Sequence, residues 1–174
     1  MLYGKEALLN NLPPVAFGGE MVDRVQTPET TFERAPLRFE AGTPNYVGAL
    51  GLAAALDYLE GLGWNRIRQR EAALLALLEE KIAALDGLAL VGEPARRAGV
   101  LSYVLEGAHP FDVATLLDKL GVAVRSGNQC AQPLLHEWCD CGMVLRFSPA
   151  FYNTPDEMGQ VVFSLERALR LCRQ

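Results

Sequence analysis

From residue 45 onward the apolar positions fall into short periodic blocks. Val47, Leu50, Leu52, Ala54, Leu56 and Leu59 fill much of a helix over 45–62, and Gly61 and Gly63 end it. A second, amphipathic helix over 64–85 lines up Ile67, Leu74, Leu75, Leu78 and Ile82 on one side. Asp86-Gly87 marks a turn, and 88–91 and 99–105 read as strands. Residues 110–120 have Pro near the start and Gly121 just past the end, the asymmetry of a helix. Residues 122–125 read as a short buried strand, 131–138 as helical and 143–147 as a further strand. A closing helix covers 156–171, with Thr154 as N-cap and Glu157 at the capping-box spacing.

The first 45 residues lack this order. Lys5 to Asn11 suits one or two helical turns, which Pro13-Pro14 stops. Residues 27–39 mix charges with isolated apolar side chains and carry no clear period, so no regular structure is expected there. Helices alternating with few strands point to an α+β layer on a small mixed or antiparallel sheet. Residues 46–174 have the pattern for that core, and 1–45 do not.

Composition adds limits. The 174 residues suit one domain, or one domain with a piece of another. The net charge of −5, with no basic run, argues against a nucleic-acid partner. Arg66, Arg68 and Arg70 read as a solvated helix face. No basic-then-apolar leader pattern is present, and the apolar stretch 47–56 is too short to span a bilayer, so a cytoplasmic protein without a membrane partner is expected. In a reducing compartment Cys130, Cys139, Cys141 and Cys172 read as catalytic, metal-binding or buried thiols.

Cys130 is the thiol with the most reactive setting. It follows a strand on the polar loop Arg125-Ser126-Gly127-Asn128-Gln129 and precedes Ala131-Gln132-Pro133. An arginine five residues upstream favours thiolate where the fold brings it close. The competing reading is a small buried cysteine. Arg146 interrupts the apolar strand Val144-Leu145-Arg146-Phe147. Its planar fork suits a carboxylate or phosphate, and simple alternation makes it an outward-facing strand residue instead. Cys130, His136, Cys139 and Cys141 together offer zinc-type ligands, although C-x-C is less usual than C-x2-C; no metal is expected. His109 before Pro110 reads as a helix-entry residue.

Three groups of residues, in this order and spacing, resemble one family. They are Phe39-Glu40-Ala41-Gly42-Thr43-Pro44-Asn45; Leu117-Asp118 with Gly121 to Gly127 and Cys130-Ala131-Gln132-Pro133-Leu134; and Arg146 with Tyr152-Asn153-Thr154. The set resembles the class V aminotransferase-like enzymes, specifically the group II, SUF-type cysteine desulfurases and selenocysteine lyases. Leu2-Tyr3 and Phe17 to Met21 extend the likeness over essentially the whole chain.

The resemblance implies the small C-terminal domain of a fold-type I pyridoxal-phosphate (PLP) transferase over 46–174, and a remnant of the PLP-binding large domain over 1–45. It implies that Cys130 takes sulfur from L-cysteine, leaving alanine and a persulfide for iron–sulfur cluster assembly. Arg146 then holds the substrate carboxylate, and Arg125 is an active-site arginine. Thr43 reaches the PLP phosphate of a partner subunit, so a homodimer and a sulfur-acceptor protein are implied partners. The family's anchoring lysine precedes the segment that resembles Leu2-Tyr3, and Lys5, Lys81 and Lys119 do not match it. PLP is therefore expected in the complete enzyme and not on this chain alone, which calls for a complementing PLP-bearing half. The family's His before the cysteine is Gln129 here. A truncated chain, a split gene product and a decayed paralogue all fit the sequence. So does a different class of protein, a persulfide-carrying or Cys/His metal-binding module with no enzymatic activity.

Overall fold

In the computed structural model, residues 1–95, 97–138 and 141–173 are described. They divide into two compact units, 1–61 and 62–174.

The first unit opens with a single-turn helix α1 (Glu6–Leu9) and an antiparallel hairpin, β1 (Val22–Val25) with β2 (Thr30–Phe32). The hairpin falls partly in the stretch expected to be irregular. Its strand residues are mostly exposed, so burial never imposed an alternating pattern on them. Pairing here rests on β-branched Val22, Val25, Thr30 and Thr31 and on a Gln26–Glu29 turn bond. A short 3-10 turn (Leu37–Phe39) leads to α2 (Tyr46–Leu62), a helix whose expected bounds hold to one residue. None of its side chains is fully buried, and Val47, Leu50 and Tyr58 are exposed.

The second unit holds α3 (Trp64–Ile82), β3 (Leu88–Leu90), β4 (Leu101–Leu105), α4 (Pro110–Lys119), β5 (Arg125–Gly127), β6 (Val144–Phe147) and α5 (Pro155–Cys172). The strands form one antiparallel sheet in the order β3-β4-β6-β5. On β4, Leu101, Tyr103 and Leu105 are buried and alternate with less buried Ser102 and Val104. The buried set joins Leu145 and Phe147 of β6 and the apolar faces of the helices: Leu74, Leu78 and Ile82 from α3, Val113 and Leu117 from α4, Leu165 and Leu169 from α5. This is the layer of helices on a small sheet that the periodicity predicts, with the sheet wholly antiparallel.

One strand differs from its expected place. Residues 122–124 are not in the sheet, and β5 begins at Arg125. The apolar residue Val122 serves the end of α4 instead. Gly121 takes φ +78°, its N–H donates to the Asp118 oxygen, and the Val122 N–H donates to the Leu117 oxygen. That double bond is the Schellman cap, which drives the residue after the glycine into apolar contact. Val122 accordingly packs into the core.

The two ends of α5 are also fastened. The Thr154 side chain accepts from the Glu157 N–H at 3.3 Å while Glu157 accepts from the Thr154 N–H at 2.6 Å, the expected capping box. After the last turn, Arg173 donates to the main-chain oxygens of Glu106 at 3.0 Å, Asp86 at 3.0 Å and Gly87 at 3.1 Å. No helix among the described residues is long and apolar enough to cross a membrane.

Candidate active site

The two arginines marked by sequence are direct neighbours. Register pairs Ser102 of β4 with Arg146 of β6, and Arg146 with Arg125 of β5. Because side chains alternate across a strand, burying Leu145 and Phe147 sends Arg146 to the opposite face of the sheet. Arg146 therefore lies on the face away from the helix layer, in one cross-strand row with Ser102 and Arg125. Like charges opposed across strands repel, so two guanidiniums side by side favour an anion between or above them. The Nε of Arg146 is buried with no hydrogen-bond partner, a donor left open within the described residues.

Cys130 is exposed, which removes the buried-cysteine alternative. The loop after β5 turns at once: the Ala131 N–H donates to the Asn128 oxygen at 2.8 Å, closing a four-residue turn. Its central residues, Gln129 and Cys130, have φ of +55° and +58°. Glycine and asparagine normally take such positions, and holding other residues there costs about 1–3 kcal/mol each. Gly127, at φ +105°, lets the chain leave β5 into this turn. The strained turn presents the Cys130 thiol outward, and Arg125 Nη2 donates to its Sγ at 2.8 Å. A guanidinium at that distance stabilises negative charge developing on sulfur.

Gln129 laces the turn: its Nε2 donates to the main-chain oxygens of Arg125 at 3.3 Å and Gly127 at 3.4 Å, while its Oε1 is buried without a partner. His136, on the π-helical turn Leu134–Trp138, lies 3.3 Å from Asn128 Oδ1 through Nε2. Among the described residues no group of three or more His, Cys, Asp and Glu side chains is placed to hold a metal; Cys139, one of the four candidates, lies outside them. His109 caps α4, its Nδ1 accepting from the Phe111 N–H.

Thr43 belongs to the first unit, on an exposed turn after Gly42. Gly42 has φ +83°, and its N–H donates to the Gly19 oxygen at 2.9 Å. Gly18 permits this approach, since a Cβ there would stand 3.0 Å from the Gly42 nitrogen. Cys172 is half-buried on α5; burial, then the nearby Asp112 carboxylate, pushes its thiol up from the ordinary value.

Cys130, Arg125 and Arg146 are marked by the sequence, whereas Ser102 enters only as the cross-strand neighbour of Arg146. Nothing in a lone Leu-Ser-Tyr sequence signals a partner that only strand register supplies. Two hollows among the described residues of the second unit are lined by other side chains. One of about 380 Å³ lies between 121–123, the end of β6 and the first turns of α5. Another, of about 420 Å³, is open and bounded by Gln132, Pro133, His136 and Glu137 just beyond the cysteine turn.

Known proteins similar to this chain show its family. A probable cysteine desulfurase of Staphylococcus epidermidis is 45% identical over 168 residues, which is 96% of this chain and 40% of that protein. One of Xylella fastidiosa is 43% identical over 98% of this chain and 41% of its own length. Among solved structures, the Escherichia coli cysteine desulfurase CsdA matches with TM-score 0.90 and 36% identity, over 98% of this chain and 42% of that one. A cysteine desulfurase from Thermococcus onnurineus matches at 0.88 and 33%, over 97% and 42%. The chain thus spans about 40% of the length of the curated relatives it matches. The family model for class-V aminotransferases matches residues 1–161, and the chain belongs to the aminotransferase class-V family.

Proposed function

We propose that this chain is the sulfur-accepting part of a PLP-dependent cysteine desulfurase. What supports the reading is Cys130, set outward on a strained turn with Arg125 on its sulfur, beside an Arg146 whose Nε is open. Arg146 binds the carboxylate of L-cysteine, aided by Arg125. The Cys130 sulfur attacks the substrate sulfur; an S–S bond forms, the substrate C–S bond breaks, and the electron pair goes to the substrate carbon, which is protonated to give alanine. Cys130 then carries a persulfide, whose outer sulfur passes to an acceptor protein for iron–sulfur cluster assembly in the cytoplasm.

The residues present fit PLP only in part. PLP supplies an electron sink in such enzymes. Thr43 is an exposed hydroxyl on a Gly-Thr turn suited to a phosphate oxygen, and we assign it to the cofactor of a partner subunit in a homodimer. The lysines do not fit: Lys5, Lys81 and Lys119 are all exposed, and none is joined to the Cys130 turn or the arginine pair by a hydrogen bond in the described residues. The anchoring lysine is assigned to a complementing PLP-bearing portion, and no step above runs through the cofactor. In this reading 1–45 is the tail of the large domain and 46–174 the small domain, which opens with α2.

The test joins this chain to a PLP-bearing portion of a relative, supplies L-cysteine and maps persulfide by mass spectrometry. Persulfide is expected on Cys130, and Cys130→Ser abolishes transfer while cofactor binding persists. Persulfide confined to another thiol, or full transfer by Cys130→Ser, overturns the reading.

A further inference from the structure

We infer that Gln129 is a positioning residue: its side-chain amide holds the Cys130 turn and the Arg125 strand as one unit. The inference rests on the proposed role of Cys130. Gln129 sits immediately before the cysteine and shares its left-handed backbone, with φ of +55° and +58° in succession. Two adjacent non-glycine residues in that region do not stay there unaided. The turn bond from Ala131 to Asn128 closes one side. The Gln129 Nε2 closes the other, reaching back across the turn to the main-chain oxygens of Arg125 and Gly127. One NH2 group thereby ties the turn to both ends of β5, and Arg125 is the residue whose guanidinium meets Cys130 Sγ at 2.8 Å.

The same amide borders the substrate-binding pair. Arg125, whose oxygen it holds, is the direct cross-strand partner of Arg146. Two buried polar atoms here lack partners, and they are complementary: Gln129 Oε1 accepts and Arg146 Nε donates. A buried acceptor and a buried donor each carry a desolvation cost while unpaired. Both are relieved if Gln129 and Arg146 meet when the site closes on a carboxylate, which leaves the two Nη groups of Arg146 free for bidentate binding. Gln129 then links placement of the thiol to placement of the carboxylate-binding fork.

The donor is the essential feature, and this separates positioning from mere filling of space. Gln129→Met keeps the length and loses the donor; Gln129→Glu keeps the shape and turns an oxygen toward two carbonyl oxygens. Gln129→His restores a ring N–H. In the 174-residue chain we expect Met and Glu variants to speed hydrogen exchange over 126–131. Both should slow Cys130 alkylation by about three- to tenfold, the worth of one or two neutral hydrogen bonds. Cys172 serves as an internal standard and keeps its rate. The His variant regains part of the loss. In the Arg125→Ala background, Gln129→Met adds little, because both act through the same contact. Wild-type exchange and alkylation in both the Met and Glu variants, or equal loss in the His variant, overturn the inference. Failure of the desulfurase reading is distinguished by absence of persulfide on Cys130 in the complemented enzyme, a measurement separate from these rates.

Discussion

Arg125 and Arg146 are adjacent on the sheet but meet different atoms, so their substitutions should separate. Arg146 has an open Nε and no acceptor in the described residues, whereas Arg125 is engaged with the Cys130 sulfur. In the complemented enzyme Arg146→Ala should chiefly weaken binding of L-cysteine. The loss of a charge-assisted pair, about 1.5–3 kcal/mol, corresponds to roughly a tenfold to hundredfold rise in KM. Arg125→Ala should lower kcat more than it raises KM, and steady-state kinetics on the two variants checks the split. A third residue tests the core. Tyr103 is buried beneath the helices with its hydroxyl unpaired, and burial, then the Glu79 carboxylate, pushes it up to about 12 from 10.0. A raised acid of this kind gives stability that is complete below pH 10 and lost as the pH rises toward 12. Tyr103→Phe removes both the unpaired hydroxyl and this alkaline loss. Denaturant melts should show it at least as stable as the parent at pH 7, by up to about 1 kcal/mol, with a flatter profile above pH 10.

The elements were legible in the sequence where burial imposed a period. Helix α3 shows it: Ile67, Leu74, Leu75, Leu78 and Ile82, read as one stripe, are its buried residues. The hairpin β1–β2 shows the opposite case, since exposed strands leave no stripe to read. Val122 shows a third, because an apolar residue beyond a helix end looks like a strand until its N–H is seen to bond Leu117. The capping box of α5 was legible because Thr154 and Glu157 carry their chemistry at a fixed spacing. It also carries a prediction. The Thr154 backbone N–H, then the Asn153 side chain, hold Glu157 below its ordinary value of 4.5. A carboxylate lowered by folding contributes stability that is present above its unfolded value and lost as the pH falls through the lower folded value. Glu157→Gln should therefore destabilise the chain at neutral pH, and its difference from the parent should shrink below pH 4.5. Thermal melts from pH 7 to 3 read that convergence directly.

For the whole molecule, the sequence marked candidate residues and left their assembly to the fold. That Cys130 and Arg125 meet is a consequence of a turn whose two central residues both lie at positive φ, and neither glutamine nor cysteine signals such a backbone. That Arg125 and Arg146 are paired follows from strand register, which depends on a 16-residue connection between Gly127 and Val144 closing as it does. The two compact units also differ in what sustains them. The core cluster of sixteen buried residues belongs entirely to the second unit, within Leu74–Leu169. In the first, Leu2, Tyr3, Leu8, Val15 and Phe17 are exposed, α1 buries no residue, and the hairpin has no third strand. Met21 is that unit's one buried large apolar side chain, and a two-stranded hairpin and a one-turn helix are marginal with so little apolar burial. Hydrogen exchange should then divide the chain. In a dilute solution of the 174-residue protein, amides over 1–38 should exchange within seconds to minutes, while those of β4, β6 and α3 exchange through global unfolding and are slowest. Addition of the PLP-bearing portion should slow exchange over 1–38 if that segment packs against it. Strong protection across 2–17 in the isolated monomer would show that this unit sustains itself, and would remove the case for treating it as the tail of a larger domain.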